Sequence, residues 1–168
     1  LSPDPYVISW TNVQRNVAMA CGVGKTPEER YEKARDFVRL VGLEDYADLT
    51  PPELSTGMKQ RLGLARVLAN QAELLLMDEP FASLDFLTRG ELQSQLLGIQ
   101  QRLPRTIVLV THQLEEALLL GQKIIVMHPD STICEFDLPQ PYPRDPDSAQ
   151  MRLLRQAITE ECKKSSAQ

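Results

Sequence analysis

Two adjacent carboxylates, Asp78 and Glu79, end the short apolar run Leu74-Leu75-Leu76-Met77, and Pro80 follows at once. Paired acids suit phosphoryl chemistry, because one can hold a divalent cation while its neighbour orients the attacking water. Leu74 to Met77 reads as a strand buried on both faces, as in a parallel sheet covered by helices. Open parallel sheets bind ligands at the carboxyl ends of their strands, where both acids then sit. Pro80 is expected to hold Glu79 in an extended backbone and to offer the sheet no further N–H. A plain strand end and a solvated turn would account for these residues too, so the flanking sequence decides.

Upstream, Pro51-Pro52 interrupts the chain before Leu54-Ser55-Thr56-Gly57-Met58-Lys59-Gln60-Arg61 opens a helical pattern. Leu62, Ala65, Leu68 and Ala69 then recur at helical spacing, with Ser55 as the N-cap. The free N–H groups and positive dipole end of such a helix make an anion site, and Gly57 permits close backbone approach. By itself this is an ordinary capped helix. Downstream, Ser83-Leu84-Asp85 precedes a helix from about Leu87 to Leu103, and a second apolar strand, Ile107 to Val110, runs into Thr111-His112. His112 is therefore expected at the same sheet edge as Asp78 and Glu79. A lone histidine there is more often structural; its place in this ordered series favours a part in the chemistry.

The order Leu-Ser-x-Gly, apolar strand with Asp-Glu-Pro, Ser-Leu-Asp and Thr-His resembles the nucleotide-binding subunits of ABC transporters over roughly Pro52 to Glu116. Weaker similarity covers nearly the whole chain. Met77 to Asp85, Thr88-Arg89, Glu115 to Leu120, and the tail Asp137 to Pro141 with Arg144-Asp145 look like the importer branch serving nitrate, sulfonate and taurine. The resemblance implies an α/β fold, the C-terminal part of a P-loop-type ATPase domain. A helical subdomain with the signature motif (1–70) would precede a mostly parallel catalytic layer with flanking helices (71–138), then a linker and terminal helix (139–168). It implies ATP as substrate and Mg²⁺ as cofactor. Asp78 would hold the metal through water, Glu79 would act as general base, and His112 would contact the γ-phosphate. Ser55, Thr56, Gly57 and Met58 would form the signature loop that closes over ATP on a second nucleotide-binding subunit, and Asp85 would link the two sites. Permease subunits, and through them a periplasmic or lipid-anchored solute-binding protein, are the further implied partners. The implied location is the cytoplasmic face of the inner or plasma membrane.

The departures are as informative. No G-x-x-x-x-G-K-[ST] occurs in the sequence. Gly22-Val23-Gly24-Lys25-Thr26 imitates its end, but Met19 stands where glycine is needed and no strand leads in. Thr26-Pro27-Glu28-Glu29 reads instead as a capping box with proline at the first helical position. Pro3 aligns with the glutamine that family members carry before a position like Trp10, and Thr56 replaces a second signature glycine. With Leu1 rather than Met at its start, the chain is expected to be an N-terminally truncated importer ATPase, inactive in isolation. Two alternatives accompany this reading: a catalytically incompetent partner that donates its signature loop, and an ABC-type ATPase that energises no transporter.

The 168 residues suffice for one domain with a core, and 42% hydrophobic with 24% charged residues is ordinary globular usage. A net charge of −5 argues against a nucleic-acid surface. Cys21, Cys134 and Cys162 are scattered and fit reduced thiols rather than a metal or disulfide framework. No apolar run approaches a membrane span. Asn12 to Cys21 looks helical, as does Pro27 to Val41 with Tyr31, Ala34, Val38 and Val41 along one face. Lys123 to Met127 and Ile133 to Phe136 flank a turn and predict a hairpin. Pro139 to Pro146 reads as a stiff linker, and Asp147 with Gln150 is expected to cap a helix bearing Leu154, Ala157 and Ile158.

Overall fold

Asn12 starts the first helix. In the computed structural model, which describes residues 7–166, its side-chain oxygen accepts the Arg15 N–H at 2.9 Å and α1 (Val13–Ala20) follows. The first two N–H groups of α1 donate to the Leu49 and Ala47 carbonyls, so the helix start is satisfied by a later loop. Asn16 is fully buried and exchanges hydrogen bonds with both backbone groups of Ile8 (2.7 and 2.9 Å), pinning the segment before the helix. α2 (Pro27–Leu40) begins as predicted, with Thr26 accepting from Glu29 and Pro27 at the first position. The reciprocal half of the box differs: the Glu29 carboxylate takes the Lys25 N–H at 2.7 Å instead of that of Thr26. Ala34, Val38 and Val41 are buried, as their spacing required.

Gly22 to Thr26 connects these helices. The Gly22 N–H donates to Ala69 O at 2.9 Å, and a Cβ there would lie 2.7 Å from Asn70 O. This glycine serves close chain packing, and α1 rather than a strand leads into it. α3 (Thr56–Ala69) is capped by Ser55, which accepts the Met58 N–H at 3.3 Å, and buries Leu62, Ala65, Leu68 and Ala69. β1 (Leu74–Asp78) then pairs in parallel with β2 (Thr106–Val110), in register from Leu74 opposite Thr106 to Asp78 opposite Val110. Between the strands runs α4 (Phe86–Arg102), whose buried Leu92, Leu96 and Ile99 keep helical spacing. An Arg61–Glu91 ion pair at 2.9 Å ties α3 to α4.

The expectation of a strand buried on both faces is corrected. Leu75 (2% exposed) and Met77 (1%) point inward, whereas Leu74 (49%) and Leu76 (62%) face outward. Successive side chains alternate across a strand, and among the described residues only one face of this sheet has a covering layer. Val108 and Val110 of β2 share the open face.

The chain divides into two compact units at Val110/Thr111, within the 71–138 segment. The second unit contains α5 (Leu114–Leu120), the predicted antiparallel hairpin β3 (Lys123–Met127) and β4 (Ile133–Asp137), and α6 (Ala149–Ser166). Asp130 shapes the hairpin turn by accepting the N–H and hydroxyl of Thr132. Leu118, Ile124, Leu138, Met151 and Ile158 form the core of this unit.

Two expectations about its tail are corrected. Pro139 to Pro146 is no free linker, because Arg144 is only 7% exposed and its guanidinium donates to the carbonyls of Leu118, Gly121, Leu138 and Gln140. The same guanidinium stacks 4.4 Å from the Tyr142 ring centroid. The cap of α6 is Ser148, which accepts the Met151 N–H at 3.3 Å, rather than Asp147. Met151, Leu154 and Ile158 face the core, and Ala157 is exposed.

Candidate functional site

The tip of β1 places the two acids differently. Asp78 is the last strand residue and is exposed, opposite Val110. Glu79 donates its N–H to Val110 O at 2.9 Å, which extends the ladder by one residue, and then turns with φ +46°. The expected extended backbone before Pro80 is therefore corrected. The chain must turn at once: Ala82 N–H returns to Glu79 O at 3.2 Å, and Phe81 and Leu84 enter the core. A left-handed φ at a residue with a side chain costs on the order of 1–3 kcal/mol and is found most often at functional positions. Glu79 is half-buried, with one carboxylate oxygen shielded from solvent.

Asp78 and Glu79 are hard oxygen donors of the kind Mg²⁺ takes singly or in pairs, completing its octahedron with water and phosphate oxygens. Among the described residues no group of three or more His, Cys, Asp or Glu could hold a metal by itself.

Ser55 and Thr56 are exposed at the start of α3, Gly57 is buried, and Met58 lies half-buried. Asp85 caps α4, accepting the N–H groups of Leu87 and Thr88 at 3.1 Å and the Thr88 hydroxyl at 2.7 Å. The Thr88 hydroxyl first, then the backbone N–H groups, hold the Asp85 carboxyl below its ordinary value. A depressed carboxyl contributes stability that is present above the unfolded value, about 3.9, and is lost as pH falls through the folded one. In Asp85→Asn, which still caps, the acid-induced fall in the urea midpoint below about pH 4 should be shallower than in the parent chain. An identical acid slope would remove Asp85 from this account.

His112 follows the last residue of β2 by two positions and is exposed, within the second unit. Thr111 on one side accepts the Gln113 N–H at 3.0 Å and donates its hydroxyl to the buried Glu116 carboxylate at 2.7 Å. The backbone on both sides of the imidazole is thereby pinned. Within the first unit the structure gathers Asp78, Glu79 and Val110 at one strand end and joins Gly57, Asp85 and Thr88 where α3 meets α4; His112 belongs to the other unit. Sequence reasoning missed the parts of Thr88, Thr111, Glu116, Asn16 and Arg144. Thr111 and Glu116 did carry a signal, a hydroxyl and an acid bracketing the histidine. Pro3 lies outside the described residues, and Trp10 is 83% exposed.

The chain is similar to known proteins. The ABC transporter family matches residues 2–82. The taurine import ATP-binding protein of Rhizobium johnstonii is 42% identical over 135 residues, 79% of this chain and 52% of that protein. The glycine betaine/proline betaine transport system ATP-binding protein of Escherichia coli is 52% identical over 104 residues, 62% of this chain and 26% of that protein. A solved dimeric ATP-binding cassette in a post-hydrolysis state, bound to ADP and Pi, superposes with a TM-score of 0.66 at 28% identity, over 82% of this chain and 61% of that one. By these likenesses the chain is similar to ABC transporter ATP-binding proteins over much of its length. Its relatives include importer subunits named for taurine and transport subunits named for betaines, and it spans about half the length of the taurine relative.

Proposed function

We propose that this chain supplies the Glu79 and signature-helix parts of the ATP-hydrolysing site of an importer for a small anion or zwitterion such as a sulfonate. The observation that carries the reading is the strand tip, with exposed Asp78 followed by Glu79 in a left-handed turn at the carboxyl end of a parallel strand. Glu79 accepts a hydrogen bond from the attacking water and takes its proton as the bond to phosphorus forms. Asp78 holds Mg²⁺ through coordinated water, and the ion neutralises charge on the phosphates. His112 donates a hydrogen bond to the γ-phosphate. The first turn of α3 presents N–H groups and the Ser55 hydroxyl to ATP bound on a second nucleotide-binding subunit, and Asp85 links the two sites.

The other partners are permease subunits and, through them, a solute-binding protein. No helix among the described residues is long and apolar enough to cross a membrane, so attachment to the cytoplasmic face runs through the permease. The net charge of −5 agrees with a protein that binds no nucleic acid.

Dimerisation tests the reading. Joined to the part of the taurine relative that this chain does not span, the Glu79→Gln protein should dimerise on MgATP, and Ser55→Arg in that background should abolish the dimer while sparing ATP binding. Light scattering and nucleotide titration separate the two effects; a dimer that survives Ser55→Arg would remove the signature-loop role. Gly22 to Thr26, a connecting loop between two helices, favours a second reading in which the chain donates its signature turn to another domain without hydrolysing ATP itself. In that case it would stimulate a partner's turnover and show none alone.

A further inference from the structure

The first turns of α3 and α4 meet at one point. A Cβ built on Gly57 would lie 2.5 Å from Thr88 Cγ2 and 3.8 Å from Thr88 Cβ. Thr88 also donates its hydroxyl to Asp85 Oδ2 at 2.7 Å and its N–H to Asp85 Oδ1 at 3.1 Å. One torsion carries both the methyl and the hydroxyl of a threonine. Turning the methyl away from Gly57 therefore swings the hydroxyl off Asp85. The space beside the Gly57 Cα is filled by this chain's own Thr88, so the glycine is required by packing inside the subunit and not only by a ligand outside it.

We propose that Thr88 is a positioning residue that couples the turn Ser55–Met58 to Asp85, so that a shift of either is felt by the other. The contact between subunits that this coupling would serve rests on the function proposed above; the coupling itself does not. It makes the phosphate-facing turn of α3 and the cap of α4 move as one body. A nucleotide pressing on the turn is then registered at Asp85 without passing through the rest of the domain.

The test uses the 168-residue chain, with the melting temperature and the ¹³C carboxyl titration of Asp85 as readouts. Gly57→Ala should lower Tm by about 3–8 °C, the effect of overpacking in a chain of this size. It should also move the Asp85 midpoint upward, toward the ordinary value. Thr88→Ser removes the methyl and keeps the hydroxyl, so it should leave the Asp85 midpoint in place. In that background Gly57→Ala becomes neutral or stabilising, since alanine is the better helix former once the clash is gone. Thr88→Val keeps the bulk and loses the hydroxyl, so Asp85 should shift with no change at Gly57. Should Gly57→Ala fail to fold, a folded Gly57→Ala/Thr88→Ser double variant still supports the coupling. An equal penalty for Gly57→Ala in both backgrounds, an unfolded double variant, or an unmoved Asp85 overturns it. Neither readout involves ATP, so failure here leaves the ATPase reading intact, and failure of that reading leaves the coupling standing.

Discussion

Glu79→Gln should bind MgATP as well as the parent and turn it over about 10²–10⁴-fold more slowly, the usual cost of losing a positioned general base. The measurement is steady-state phosphate release beside an ATP-binding titration, in the protein joined to the part of the taurine relative that it does not span. Glutamine keeps the size of the side chain and the N–H that donates to Val110 O, so strand pairing and the turn are retained. What it loses is a carboxylate able to take a proton. Undiminished hydrolysis would end the assignment. A companion variant separates chemistry from backbone strain. Glu79→Gly also removes the carboxylate, yet glycine adopts the +46° φ of this position without the Cβ penalty. Turnover should therefore collapse with no fall in Tm. A large loss of Tm in Glu79→Gly would mean that the side chain holds the turn rather than serving the reaction.

The largest structural effect is expected at Arg144. Its guanidinium sits at the C-terminal end of α5, where the Leu118 and Gly121 carbonyls carry the negative end of the helix dipole, and reaches Leu138 and Gln140 as well. Arg144→Ala leaves several buried carbonyls without their donor, and should cost the second unit about 3–5 kcal/mol, at the far end of single-substitution effects. Arg144→Lys should recover less than half of this, because an ammonium is a point charge and lacks the planar fork that spans four acceptors and stacks on Tyr142. Tyr142→Phe, which loses the hydroxyl bond to Leu120 O and keeps the ring under the guanidinium, should cost about 1 kcal/mol. Amide hydrogen exchange across residues 111–166 reads the effect locally. A loss below about 1 kcal/mol for Arg144→Ala would restore the picture of an unattached linker.

Much of the architecture could be read from short stretches. Thr26 and Ser55 act as helix caps as expected, and the Leu62-Ala65-Leu68-Ala69 stripe is buried where its spacing put it. The parallel pairing of the two apolar strands and the hairpin after Lys123 also match expectation. The misses share a cause. Pro80 favours an extended Glu79, but the burial of Phe81 and Leu84 forces an immediate turn and overrides the local preference. The prolines of 139–146 carry no sign of attachment, since the anchor of Arg144 lies 26 residues back at Leu118.

The sequence by itself determined the periodic elements, the N-caps of α2 and α3, and the order of chemistry-bearing residues along the chain, because each of those depends on neighbours within about one or two helical turns. The tertiary structure alone decided which face of β1 is covered, why Gly57 must lack a side chain, and which carbonyls Arg144 would satisfy. Those outcomes depend on groups far apart in sequence whose meeting is set by close packing, where a single methyl of Thr88 is enough to exclude a Cβ.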